Sequence, residues 1–387
     1  MTVSSARPLP TTLAAAVALL IGCAFAGNVL AQEDDYDDKP KTSSMTGSAA
    51  AASERARQRR AEAAAKANQQ PDLFPQATRK PPERKVSQKE AKAANDLQAM
   101  FDKEQYAELM PKVDAFLADT QNPYLVSYFS QLAGSAALKL DDSQKGAAYY
   151  LKAVEGNGLD NNGHYQIMFN LAVTLHELER YPEALSWIDR YLTETKNESE
   201  QALGLKAYVL SRVGRAAEGA ALYEKLLVAK PGDAGILMNA VSLYQEADNY
   251  EKANGLLENA RKQGQLKEPN AYRMLFVGYI NADKYKLAEE VLLDGVAKGV
   301  LQPSQTLAND YSIIAQNYYA QENVPQAIDF YTRAAKIATN GEAALNLAKV
   351  LSNENRMTEA KAAAREALAK GIKKPQEANN ILAKPGK

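Results

Sequence analysis

Cysteine is almost missing from this chain of 387 residues: Cys23 is the only one. If the segment that carries it is removed, no thiol remains, which excludes disulfides, Cys-based metal sites and a Cys nucleophile. Histidine is nearly as scarce, with only His164 and His176. The stretch His176-Glu177-Leu178-Glu179-Arg180 falls short of the HExxH zinc motif, because Arg180 stands where the second His must be. Glycines occur singly, so no phosphate-cradling loop is present, and there is no GxSxG elbow. With a formal net charge of -1, neither sign is in excess and nothing draws the chain toward nucleic acid. The expectation is a protein that is not an enzyme and uses neither metal nor cofactor.

Hydrophobic residues make up 46% of the chain, enough for a sizeable core. They are organised unevenly. At the start, Arg7 precedes the apolar run Leu13-Ala14-Ala15-Ala16-Val17-Ala18-Leu19-Leu20-Ile21, small residues follow, and Gln32-Glu33-Asp34-Asp35 turns polar. That order is read as a secretory signal over 1–31, cut after Ala26 or after Ala31. A membrane anchor is the rival, but Pro8 and Pro10 before the run and Gly27-Asn28 after it leave a short span. Leu20-Ile21-Gly22-Cys23 resembles a bacterial lipobox, so lipidation of Cys23 stays open beside plain cleavage. The expected location is the periplasm or envelope.

Residues 32–87 read as a disordered linker, acidic through Glu33, Asp34, Asp35, Asp37 and Asp38, then basic from Arg55 to Lys85. Prolines 71, 75, 81 and 82 forbid a long helix, and few large apolar residues are available to offset ordering entropy. The linker is either a solvated tether or a basic arm for an acidic surface such as a membrane.

From 88 to 385 apolar residues recur at helical spacing, without strand-like alternation. This part repeats itself. Glu179-Arg180-Tyr181-Pro182-Glu183-Ala184-Leu185 returns as Gly214-Arg215-Ala216-Ala217-Glu218-Gly219-Ala220, then from Asp248 and from Asp283, with later copies at Asn323 and Arg356. A period of about 34 residues is the length of one helix-turn-helix unit. A small residue recurs where two helices would cross: Ala184, Gly219, Ala253, Ala288, Ala327 and Ala360. Three positions earlier Tyr181, Ala216, Tyr250, Tyr285, Val324 and Met357 would plug the turn. Pro182 and Pro325 sit in the first turn of a second helix, where no N–H is lost. Most tyrosines fall at core phases, which argues against their being base-stacking platforms.

On these residues the chain resembles the tetratricopeptide repeat family. The family's tryptophan at position 4 of the unit never appears, and its closing proline is clear only at Pro231. The resemblance implies an all-α, right-handed α-solenoid of about eight stacked helix pairs over 88–385, ending in a capping helix near Gln376 to Leu382. It also implies a groove lined by first helices, here by Phe169, His176, Tyr208, Arg212, Met238, Gln245, Arg273, Gln316 and Tyr319. One branch of the family grips C-terminal carboxylates with Lys and Asn. The matching positions here are Phe169, Gly204, Met238, Arg273, Ser312 and Leu345, so that pattern is absent. The expected function is a protein–protein scaffold holding a partner protein or peptide in the groove. The alternative is a structural subunit of an envelope assembly that uses outer faces or array ends.

Overall fold

The computed structural model describes residues 71–385. The signal at 1–31, with Cys23 and both cleavage points, and the first part of the linker, 32–70, lie outside the described residues.

Seventeen helices follow one another, and no strand occurs among the described residues. They pair as hairpins: α1 (Gln88–Asp102) with α2 (Tyr106–Asp119), and α3 (Pro123–Lys139) with α4 (Ser143–Gly156). Next come α5 (Asn161–Glu177) with α6 (Tyr181–Thr195), and α7 (Glu200–Arg212) with α8 (Ala216–Ala229). Then follow α9 (Ala234–Glu246) with α10 (Tyr250–Lys262), and α11 (Pro269–Asn281) with α12 (Tyr285–Ala297). The last pairs are α13 (Gln305–Ala320) with α14 (Val324–Ile337), and α15 (Glu342–Asn353) with α16 (Met357–Lys370). A single helix, α17 (Pro375–Ala383), closes the series.

The hairpins share one turn chemistry. Each first helix ends in a left-handed residue: Glu104, Asp141, Glu179, Gly214, Asp248, Asp283, Glu322 or Asn355. The next N–H then donates back across the turn, as from Arg180 to the Leu175 carbonyl (2.8 Å) and from Asn249 to the Tyr244 carbonyl (2.7 Å). These bonds satisfy carbonyls that a helix end leaves orphaned. First helices start on side-chain caps: Asn122, Asp160, Ser199, Asp233 and Ser304 accept from N–H groups of the first turn. Pro182 and Pro325 open α6 and α14 as their spacing predicts. The recurring alanines 184, 253, 288, 327 and 360 are fully buried. On a first helix, outside that set, a glycine brings two helices closer still. A Cβ on Gly134 of α3 would stand 2.6 Å from the ring of Tyr150 on α4.

Two compact units divide at Leu222 and Tyr223. In the first, each helix from α1 to α6 packs on the next, and first helices also meet across hairpins, α1 on α3 and α5 on α7. In the second, α13 meets α15, and α15 meets α17. The residues inserted after α12 are plugged by Leu301, which lies over Gly295 so closely that a Cβ there would be 2.8 Å from its side chain. The cap α17 buries Ala378 and Ile381 and is tied down by Lys384 Nζ donating to Ser352 Oγ at 2.8 Å.

One expectation is corrected. Residues 71–87, assigned to the disordered linker, lie against the first unit. Phe74 is 6% exposed, with its ring centroid 5.4 Å from that of Tyr165 and 5.9 Å from that of Tyr191. Composition averaged over the linker hid this single buried aromatic and the hydrogen bonds around it. The prolines keep the segment out of helix but leave it free to be held, with one turn at Phe74 to Ala77, by another surface.

Candidate functional site

In the first unit, three expected groove residues gather where two hairpins meet. His176, near the end of α5, and Tyr208, on α7, stand with ring centroids 4.8 Å apart, edge to face. Tyr181, the first residue of α6, joins them, its ring 6.2 Å from that of His176. The guanidinium of Arg212, at the end of α7, lies 5.3 Å from the centroid of Tyr181. Burial pushes the His176 imidazole below its ordinary pKa, and the Arg212 charge adds to that, so both favour the neutral ring. Its Nδ1 is buried without a partner. Burial likewise raises the Tyr208 hydroxyl. The patch offers ring faces and edges, a half-buried phenol and a planar cation. It suits contact with an aromatic, amide or acidic segment, not bond-making chemistry. Tyr181 was expected only as a turn plug; its position at the hairpin junction gives it both roles.

Phe169 is corrected. It is 7% exposed and packs on Tyr191 at 5.3 Å between centroids, so it belongs to the core of the α5–α6 hairpin. The aromatic cluster of Phe74, Tyr165 and Tyr191 pulls the ring inward, which the residue's place in the repeat does not reveal.

In the second unit, Met238 and Gln245 are half-buried on α9, while Arg273 on α11 and Gln316 on α13 are exposed. Arg273 Nε donates to Asp310 Oδ2 at 3.3 Å and so bridges α11 to α13. Asp310 is 3% exposed; burial raises its carboxyl and the Arg273 charge opposes the rise. Asp310 Oδ1 has no partner. Tyr319 is half-buried, and its hydroxyl accepts from Asn353 Nδ2 of α15 at 2.8 Å, which commits part of the side chain to the array itself. Val277 and Ile313 were not foreseen. Each is 37% exposed, one turn beyond Arg273 on α11 and beyond Asn309 on α13. They lie 36 positions apart, whereas the matching residues Arg273 and Ser312 lie 39 apart, so no shared repeat phase marked them. Asp310 could have been found as the lone acid inside Leu307-Ala308-Asn309-Asp310-Tyr311.

Among the described residues no three His, Cys, Asp or Glu side chains converge on a common point, and no helix is long and apolar enough to cross a membrane.

Two family models match inside the array. One, a tetratricopeptide repeat, covers residues 132–199, and the other, the N-terminal tetratricopeptide-repeat region of Psidin, covers 175–293. No curated protein matches the chain. Among solved structures, it resembles a tetratricopeptide repeat protein from Parabacteroides merdae at 16% identity and TM-score 0.36, covering 64% of this chain and 92% of that one. YrrB, described as a tetratricopeptide protein with an unusual peptide-binding site, matches at 19% identity and TM-score 0.36, covering 43% and 82%. The TPR2AB domain of yeast Sti1, in complex with pHSP90, matches at 14% identity and TM-score 0.33, covering 66% and 96%. With both family models falling on hairpins that share one period and one turn chemistry, residues 132–293 are built of tetratricopeptide repeats.

Proposed function

We propose that this chain is a non-catalytic scaffold of the bacterial envelope that holds a segment of a partner protein against the exposed faces of its first helices. The observation that carries this is the cluster of His176, Tyr181, Tyr208 and Arg212, where rings and a guanidinium are presented at a hairpin junction. Stiff aromatic groups and Arg give contact area and directional bonds at little cost in side-chain entropy. In the second unit the pairing of Arg273 with Asp310 beside exposed Val277 and Ile313 offers the same mixture of charge and apolar area. The envelope part of the reading rests on the apolar run Leu13 to Ile21 and the small residues after it. Two tethers fit it: acylation at Cys23, and the basic linker on an anionic membrane.

A second reading, a structural subunit that uses outer faces, is favoured by second helices of the second unit. Val228 of α8 is 82% exposed and Tyr250 of α10 is 50% exposed. Open clefts of about 530 and 300 Å³ lie along α10.

Photo-crosslinking in the native cell separates the two. The probe stands at Tyr208, with a control at exposed Lys225 on α8. A discrete adduct from Tyr208 alone supports the first-helix face and supplies the partner. An adduct from Lys225 alone removes that reading and leaves the subunit.

A further inference from the structure

The surface that holds residues 71–87 is built as a recognition site. It lies away from the His176 cluster, along the helix ends where α5 begins and α6 finishes. Three kinds of contact are made there. Asn162 reads backbone on both sides: its Oδ1 accepts from Leu73 N at 2.9 Å, and its Nδ2 donates to the Pro71 carbonyl at 2.9 Å. Tyr165 and Tyr191 form an edge-on pocket for Phe74.

Five residues on, Arg79 enters a socket. Its Nε donates to Asn157 Oδ1 at 2.8 Å and its Nη1 to Asn161 Oδ1 at 3.0 Å. Its Nη2 donates to the carbonyls of Asn157 at 3.0 Å and Leu159 at 2.9 Å. Asn161 Nδ2 returns a bond to the Arg79 carbonyl at 3.1 Å. Further along, Asn122 Nδ2 donates to the Lys85 carbonyl and Arg84 lies 4.5 Å over the Tyr124 ring.

Every receiving group is fixed by the array and not by the strap. Asn161 and Asn162 are the first two residues of α5, which is capped separately by Asp160. Asn157 is the left-handed residue that ends α4. Tyr165 and Tyr191 stand on α5 and α6. The strap contributes no helix or strand: a turn closed by Ala77 N donating to the Phe74 carbonyl at 3.0 Å separates its two main anchors, Phe74 and Arg79. An amide that reads backbone, an aromatic pocket and an arginine socket on rigid elements together make up a selective site for a short non-helical peptide.

We infer that this edge is a second peptide-binding site, with Phe74 to Arg79 as its resident ligand, and that its competing partner is a non-helical segment carrying an aromatic residue at the start of a turn and, five positions later, an arginine. Tethering gives the strap an effective concentration on the order of millimolar. A free segment of the same sequence that binds the empty site at about 100 μM is therefore weakened roughly tenfold by the strap. A partner with further contacts elsewhere overcomes that and releases the strap.

The test uses the full chain and a fluorescent peptide of residues 71–87, read by anisotropy. The double variant Phe74→Ala with Arg79→Ala weakens the strap and leaves the site intact. It is expected to bind the peptide at least tenfold more tightly than the unaltered chain does. Adding Asn162→Ala is expected to remove most of that gain, and a peptide with Ala at both anchors is expected not to bind. Equal binding by the unaltered chain and the double variant, with helical circular dichroism intact, overturns the inference.

Hydrogen exchange on the unaltered chain gives an independent answer should the double variant misfold. The Leu73 amide is expected to exchange at least a hundredfold faster than amides in the middle of α5, and faster again with excess peptide. Exchange of both at one rate would mean that the strap is an inseparable part of the core, and the inference fails.

Discussion

A left-handed residue closes all eight hairpins, and at seven of them it carries a side chain. L-residues adopt that conformation at a cost of about 1 kcal/mol or more, which the turn's hydrogen bonds offset. Gly214 is the exception, with φ +77°, and a Cβ there would meet nothing within 4 Å. Gly214→Ala should therefore lose about 1 kcal/mol through the backbone alone, read as a lower urea midpoint. An unchanged midpoint would show that strain at this residue does not matter. His164 poses a different question. Its ring is 2% exposed, Nε2 has no partner, and burial pushes its pKa down to about 4, helped by the charges of Arg79 and Arg190. Unfolded, it returns to about 6.5. Between those values the unfolded chain holds a proton that the folded chain does not. Stability is complete above pH 6.5 and falls as the pH drops toward 4. The loss should be about 2 kcal/mol, after allowing for water in the open cleft beside the ring. His164→Gln should flatten that slope in urea midpoints taken from pH 7.5 to 4.5; a slope unchanged by the substitution would assign it to other groups.

Between elements, the pair of Arg273 and Asp310 is the contact most exposed to a single change. Arg273→Ala leaves a carboxylate that is 3% exposed with neither oxygen bonded to a side chain. The expected loss is about 1–3 kcal/mol in thermal or urea unfolding. Burial already raises the Asp310 pKa, so the folded variant takes up a proton more readily than the unfolded chain. The loss should be greatest at neutral pH and shrink as the pH falls. Asp310→Asn in the same background should recover much of it. A loss that does not vary with pH would mean that Arg273 acts through packing of its stem. The same bridge holds the Arg273 guanidinium at the surface of α11 and α13.

At the scale of the molecule, stability in each unit rests on contacts between neighbouring helices, so damage should travel one hairpin at a time. The cap α17 covers α15 and α16 with Ala378 and Ile381. Ile381→Asp should speed hydrogen exchange in α15 and α16 by tenfold or more and leave α9 and α10 little changed. A uniform rise across all of them would show that the second unit unfolds in one step. Much of this organisation was legible in the sequence. The period was plain because Ala184, Ala253, Ala288, Ala327 and Ala360 mark helix crossings that admit no larger side chain. The repeat put His176, Tyr208 and Arg212 on first helices, where Arg212 is exposed and the two rings are half-buried. Phe169 was misplaced, because its repeat position says nothing of Tyr191 across the hairpin.

The sequence by itself determined the helices, their turns and their order, since these depend on residues within one period of each other. It also determined what is scarce: a single thiol and two histidines. Only the tertiary structure decided that Pro71 to Ser87 is a bound strap, because Leu73 and Asn162 lie 89 positions apart and share no periodic pattern. It alone paired Arg273 with Asp310, 37 positions apart, and brought His176, Tyr181, Tyr208 and Arg212 into one cluster. Local propensity acts over a few residues, whereas a binding surface is made where distant segments exclude water together.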